Sequence, residues 1–268
     1  MVRILLKRCL INKMIFSIII TAYNYEKYIR ESVESALNQD FSDKYEIIVV
    51  DDCSSDKTGL ILDDYDSLIR VNNETNLGIE VSVNKSIRKA LGKYIVRLDA
   101  DDYLEYDFLS EVSQHIESED VFYYGDYTSF SEDSSQLSKV NLIEFDKIEV
   151  ECRGDFLATG TVYSKKMLLD IGLCNEKNKN CGLENYQLIL ELMARGYSGK
   201  HIKKNLFFYR RHENSLSNKE FVSIKNYGNE LARRYELDFY SINQYHPYLN
   251  TKDIIKHRNT LKQINYKK

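Results

Sequence analysis

An α/β fold, with a mostly parallel central sheet flanked by helices and a helical extension at the C-terminus, is what this sequence predicts. Three observations carry the prediction. Runs rich in β-branched residues recur, as in Ile15–Thr21 (IFSIIIT) and Tyr45–Val50 (YEIIVV); segments with apolar residues at helical spacing lie between them; and the alternation continues from Met14 to about Asp102. Strand and helix alternating at this pitch form βαβ units, whose strands lie parallel and are covered on both faces.

Taken in order, Ile15–Thr21 is a continuous apolar run, which suits a strand buried on both faces. Tyr25–Asn38 follows as a helix with Tyr28, Ile29, Val33 and Leu37 near one face, and Tyr45–Val50 is the second strand. Asp56–Tyr65 reads as a helix, Leu68–Val71 as a short strand, Ile79–Leu91 as a helix with Ile79, Val83, Ile87 and Ala90 on one side, and Tyr94–Leu98 as a strand. After Asp102 the period changes. Tyr106–Glu117 is expected to be a helix, Val121–Phe130 an edge or antiparallel strand, and the polar stretch Ser131–Lys139 a mobile loop. Helices are expected at Lys165–Ile171 and Glu184–Ala194, a strand at Leu206–Arg210, and polar helix from Lys219 to Lys268. Neither a repeat nor a linker divides the chain. One domain over residues 14–217 with an extension over 218–268 is therefore expected, preceded by residues 1–13, whose basic residues break every apolar run. Met14, directly before the first strand, is the expected start of translation.

Composition bounds the function. With 43% hydrophobic and 29% charged residues, the chain has the balance of a globular protein, and disordered or fibrous classes are excluded. The 37 Lys and Arg are scattered among 41 Asp and Glu for a net charge of −4, which argues against nucleic acid as a partner. Basic residues at both ends, among them Arg3, Lys7, Arg8, Lys252, Lys256 and Arg258, would suit peripheral contact with an anionic membrane. Five cysteines without a Cys-x-x-Cys pair read as free thiols of a reducing cytoplasm, and the sequence contains no apolar run approaching the ~20 residues of a membrane span.

Ligands of open α/β sheets bind beyond the carboxyl ends of the strands. Here those ends are acidic: Asp51-Asp52 after the second strand and Asp99-Ala100-Asp101-Asp102 after the fourth. Ser55 and Asp56 suit a helix cap, but a cap uses one carboxylate, and the Asp99–Asp102 cluster holds three. Carboxylates gathered in this way repel unless a cation sits among them, and hard divalent ions prefer oxygen ligands.

Several ordered blocks then carry a family likeness. Ser17–Tyr25 (SIIITAYNY), Ile47–Asp56 (IIVVDDCSSD), Asn76–Gly78 (NLG) and Gly92–Leu104 (GKYIVRLDADDYL) resemble the nucleotide-binding half of inverting family 2 glycosyltransferases with the GT-A fold. Glu184 in GLENYQL and Tyr209–Ser217 (YRRHENSLS) resemble two downstream blocks of that family. The resemblance implies a nucleotide-sugar donor of the UDP-linked kind and a saccharide or lipid-linked saccharide acceptor in cell-surface polysaccharide synthesis. It places Thr21, Ala22, Tyr23, Asn24, Asp51 and Asp52 around the nucleoside. Asp99, Ala100, Asp101 and Arg210 complete the donor site, Asp99 at the ribose or metal and Asp101 at the diphosphate, with Asp101, Asp99 and His212 holding Mn²⁺ or Mg²⁺. The family's usual Glu-Asp pair is Glu184-Asn185 here; an amide cannot accept the acceptor's proton, so Glu184 is the expected base. The alternative is a weak or inactive nucleotide-sugar-binding scaffold.

Two departures from the family pattern set further expectations. Val83-Asn84 lacks the usual Arg before Asn, which leaves diphosphate neutralisation to Lys85, Arg88 or Arg210. Cys53 stands where Gly is common, so that turn is expected to differ. Tyr23, Tyr25, Tyr28, Tyr103 and Tyr106 are expected beside the pocket, with the loops around Ser131–Lys139 and His212 ordering only on nucleotide and metal. Other nucleotide enzymes fit less well: TAYNY has no glycine for a dinucleotide turn, no Gly-x-x-x-x-Gly-Lys exists, and an aspartyl phosphatase would place its acids after the first strand.

Overall fold

The computed structural model describes residues 14–133, 135–147, 150, 159–213, 215 and 221–236. Residues 1–13 and 237–268, with Cys9 and Cys152, lie outside it. The first half follows the predicted alternation: β1 (Phe16–Ala22), α1 (Ile29–Leu37), β2 (Tyr45–Asp51), α2 (Thr58–Leu62), β3 (Ile69–Asn72), α3 (Ile79–Lys89) and β4 (Tyr94–Asp99). These strands run parallel in the order β3-β2-β1-β4. Successive side chains of a strand point to opposite faces, and β1 shows the consequence. Ile19 packs with Ile48, Val83, Ile87 and Ile95, while Ile18 and Ile20 pack with Ile29, Val33, Val49 and Val96. Helices α3 and α1 therefore cover opposite faces. The chain returns past β1 through Gly92, where a Cβ would come 2.5 Å from the Ser17 nitrogen, so only glycine admits this crossing.

The second half comprises β5 (Tyr103–Leu104), α4 (Phe108–His115), β6 (Val121–Ser131), β7 (Leu137–Val140), β8 (Val162–Ser164), α5 (Lys165–Asp170), α6 (Glu184–Ala194), β9 (Ser198–Arg211) and α7 (Phe221–Arg234). The sheet continues from β4 through β8, β6 and β9 to β5. β8 is antiparallel to β4 and β6, β9 runs parallel to β6, and β5 is antiparallel to β9. The α/β class with helices flanking one sheet is thus observed, its strands pairing in parallel across β1–β4 and again between β6 and β9.

Several local expectations are corrected. Ser131–Lys139 is a hairpin turn and strand: β7 pairs with β6, Phe130 opposite Leu137, because Asp133 accepts from the Ser135 amide and closes the turn. β6 is interior, with β9 on one side and β7 and β8 on the other. β9 starts at Ser198 rather than Leu206, since its polar first half pairs with β6 from Val121 onward. β5 and β8 carry no sequence pattern of their own and exist through pairing alone. At the C-terminal end, Ile224, Tyr227 and Leu231 of α7 join the core containing Ile189 and Leu192 of α6, and the Tyr235 hydroxyl donates to Glu191 at 2.7 Å.

Candidate active site

The chain runs outward from β1 to β3 and then returns to β4 on the other side of β1, which makes the carboxyl ends of β1 and β4 the switch point of the sheet. The register brings the predicted residues together there. Thr21 lies opposite Asp99, and Ala22 opposite Asp51. The Asp52 amide donates to the Ala22 carbonyl at 2.8 Å, tying the loop after β2 to the loop after β1. Asn24 takes a left-handed conformation (φ 60°); its amide donates to Ser54 Oγ at 2.9 Å, and its Oδ1 accepts from the Ser55 amide at 2.8 Å. Cys53 is left-handed too (φ 66°), so the turn keeps the geometry expected of glycine despite the Cβ. Tyr23 and Tyr106 are exposed, Tyr25 and Tyr103 half-buried, and Tyr28 buried.

The two acids after β2 do different jobs. The Asp51 carboxylate accepts from the Ser54 amide (2.9 Å). Asp52 is fully committed: Oδ1 accepts from Asn73 Nδ2 (2.7 Å) and the Leu77 amide (2.8 Å), and Oδ2 accepts from the Gly78 amide (2.8 Å). Gly78 sits at φ 95°, which presents its N–H to that carboxylate. Asp52 therefore builds the Asn76–Gly78 loop, which leaves Asp51 as the acid available to a nucleoside.

The acids after β4 are gathered by the distant end of β9. Asp102 is buried, accepting from the Arg210 amide (2.8 Å) and the Thr159 hydroxyl (2.7 Å). Burial, then the charges of Asp101 and Asp99, push its proton affinity well up. Burial also raises that of Asp101, against the hydrogen bond from His212, whose Nε2 lies 2.9 Å from Asp101 Oδ2. The Tyr25 and Tyr209 hydroxyls are likewise pushed up, first by burial and then by these carboxylates. Arg210 is buried, donating from Nε to the Asp101 carbonyl (2.9 Å) and from Nη2 to Glu31. Its guanidinium lies 5.0 Å from the Tyr28 ring centre and 4.5 Å from that of Phe130. Arg210 thus orders the acid cluster from behind. Tyr28 also packs on His212 (4.8 Å) and donates to Glu132 of the β6–β7 turn (2.7 Å), linking the two loops predicted to close the site. Of the other cations considered for the diphosphate, Lys85 donates to Asn73 (2.6 Å) and Arg88 pairs with Glu176 (3.4 Å).

Glu184 and Asn185 open α6 and are buried. The segment before them is clamped by α3. Glu80 accepts from the Cys181 and Asn180 amides (2.8 and 2.9 Å), and Asn84 bonds Cys174 through both its amide groups (2.8 and 2.9 Å). Glu184 Oε1 accepts from Arg97 Nη2 at 2.6 Å. Sequence reasoning missed Arg97, Glu80, Thr159 and Glu31. Arg97 left a signal, a charged residue inside the apolar run of β4, but its partner lies 87 residues away.

Two protein donors, Asp101 and His212, face each other at 2.9 Å with Asp99 nearby in sequence. A carboxylate and an imidazole fit a divalent ion that takes its other ligands from diphosphate and water. Among the described residues, the set of three ligand atoms that converge within 4.8 Å is instead Glu80, Cys181 and Glu184. There burial and then the charges of Glu184 and Glu80 push the Cys181 thiol up, away from the thiolate that metals bind, and Arg97 already supplies Glu184 with a cation. No helix among the described residues is long and apolar enough to cross a membrane.

Strand-end acids at the switch point of a half-parallel sheet accompany the class, a GT-A fold. The family description "Glycosyl transferase family 2" matches residues 17–168, and the chain belongs to that family and is a glycosyltransferase. It is 31% identical over 219 residues, 80% of this chain and 84% of the relative, to the Escherichia coli protein WfaP, named a UDP-Glc:alpha-D-GlcNAc-diphosphoundecaprenol beta-1,3-glucosyltransferase. It is 27% identical over 220 residues, 80% of this chain and 85% of the relative, to TuaG of Bacillus subtilis, provisionally a teichuronic acid biosynthesis glycosyltransferase. The crystal structure of Staphylococcus aureus TarS with UDP-GlcNAc superposes with a TM-score of 0.67 at 22% identity, covering 84% of this chain and 67% of TarS, which shows the shared fold.

Proposed function

We propose that this glycosyltransferase moves a sugar from a UDP-sugar to a saccharide or lipid-linked saccharide acceptor, with inversion, in the synthesis of a cell-surface polysaccharide at the cytoplasmic side of the membrane. One observation carries the reading: the register that sets Thr21, Ala22, Asp51 and Asp99 side by side at the switch point, with Asp101 and His212 next in line. UDP and a lipid-linked saccharide acceptor are supported by the substrates that the name of WfaP specifies, and surface-polymer synthesis by that of TuaG. Asp51 accepts from the nucleoside, with Tyr23 exposed beside it for stacking. Asp101 and His212 hold Mn²⁺ or Mg²⁺, with Asp99 alongside. The ion, when bound, neutralises charge on the departing diphosphate. Glu184 takes the proton of the acceptor hydroxyl on Oε2, the oxygen that Arg97 leaves unbonded.

The test is release of UDP from a panel of UDP-sugars with Mn²⁺, comparing the wild type with Asp101→Ala. Turnover abolished by the substitution is expected; absence of turnover with every donor and acceptor overturns the reading. A second reading, nucleotide-sugar binding without transfer, is favoured by two observations: Asn185 replaces the usual acid, and Glu184 is only 5% exposed. Donor binding without UDP release would select it.

A further inference from the structure

We infer that Arg97 is a positioning residue for glycosyl transfer, holding Glu184 and Asp99 on one guanidinium so that the base and the end of β4 are set as a unit; this rests on the reading of Glu184 as the base. Arg97 and Glu184 are each 5% exposed, and Nη2 lies 2.6 Å from Glu184 Oε1. The same Nη2 lies 3.2 Å and Nε 3.3 Å from Asp99 Oδ1. The backbone on either side is fixed, since the Arg97 amide donates to the Thr161 carbonyl (3.2 Å) and the Gly160 amide donates to the Arg97 carbonyl (2.8 Å). Stability gives little reason for such a pair, because buried ion pairs replaced by apolar residues of similar volume are often neutral or better. Geometry gives one. The fork of arginine reaches two carboxylates in fixed directions, which an ammonium cannot do. One oxygen of Glu184 is thereby held, while Oε2 has no hydrogen-bond partner among the described residues. The bond thus selects which oxygen meets the acceptor and at what angle, and it makes that choice depend on where Asp99 sits.

The experiment measures kcat and donor KM for UDP release from UDP-glucose and UDP-N-acetylglucosamine with Mn²⁺, in the full chain carrying Glu184→Gln, Arg97→Lys or both. Glu184→Gln should lower kcat by about 100-fold or more. Arg97→Lys keeps the charge but loses the fork, and misplacement of the base should lower kcat by up to about 100-fold with donor KM unchanged. The double variant should be no slower than Glu184→Gln alone, because Arg97 acts through Glu184. A wild-type kcat in Arg97→Lys, or losses that multiply in the double variant, overturns the role of Arg97 while the base stands. Full activity in Glu184→Gln overturns the base itself. If Arg97→Lys does not fold, the neutral pair Arg97→Met/Glu184→Gln decides: activity equal to that of Glu184→Gln supports the inference, and a further loss overturns it.

Discussion

At the end of β2, Asp52 is surrounded by donors, the amides of Leu77 and Gly78 and the side chain of Asn73. At the end of β4, Asp101 and Asp102 face each other and Asp99, and burial raises the proton affinity of both. Both regions lie at the carboxyl edge of the same sheet, yet in one the acid is surrounded by donors and in the other buried acids crowd one another. The donor-rich region is scaffold. The acid-rich region is held together by Arg210 from β9, a strand of the other half.

The largest effect should come from breaking the scaffold. Asp52→Ala takes the acceptor from two buried donors and one half-buried one, and at about 1–3 kcal/mol each the loss should reach about 4 kcal/mol, measured by chemical denaturation. If the loss is below about 1 kcal/mol, the loop of residues 76–78 is not held in the way described.

Arg210→Met tests the link between the halves. It removes the hydrogen bond to the Asp101 carbonyl and the contacts with Tyr28 and Phe130, while Glu31, half exposed, returns to water. A cost of about 2–3 kcal/mol is expected, with weaker binding of UDP and Mn²⁺ by calorimetry. Unchanged binding would mean that the acid cluster is ordered without β9.

This asymmetry also decides what could be read from the sequence. β1, β2 and β4 are apolar on both faces, so each declares itself locally, and the acids after them follow from strand-end logic. Asp52 could not be told from Asp51, because the difference lies in which carboxylate meets Leu77 and Gly78 after folding. The first half of β9 (SGKHIKK) was illegible for a related reason. Lys200 and Lys204 are satisfied by Glu117, Asp107 and Glu111 from distant segments, so the strand needs no apolar alternation there. Arg97 was visible as an exception in β4, but its meaning required α6.

Relieving the acid cluster should stabilise the metal-free protein. Folded Asp101 and Asp102 bind protons more tightly than unfolded carboxyls, so their contribution to stability is full below about pH 3.9 and is lost as pH rises through their raised values. Lowering the pH from neutral into that interval should therefore recover this part of the stability. Asp101→Asn keeps an oxygen for His212 without the charge. It should gain about 1 kcal/mol at neutral pH, or about 2–4 °C in Tm, flatten the pH dependence and lose Mn²⁺-dependent UDP binding. A lower Tm in the variant would show that the carboxylates are already compensated.

The smallest effect concerns Cys53, whose left-handed backbone (φ 66°) sits in the donor-rich region. A Cβ in that conformation costs about 1–2 kcal/mol. The thiol returns little, since its contact with the Glu74 carbonyl is a weak sulfur donor's at 3.4 Å on an exposed side chain. Cys53→Gly removes the strain but frees the unfolded chain by about 0.4–1 kcal/mol. The net gain should be about 0.5 kcal/mol, read by denaturation, with UDP affinity unchanged. That sign separates a turn dictated by its neighbours from one chosen by its own residue. Asn24 and Ser54 hold the loop, so the backbone has adopted the conformation that glycine prefers and cysteine tolerates. A destabilised Cys53→Gly would instead mean that the thiol contributes more than its single contact with Glu74 accounts for.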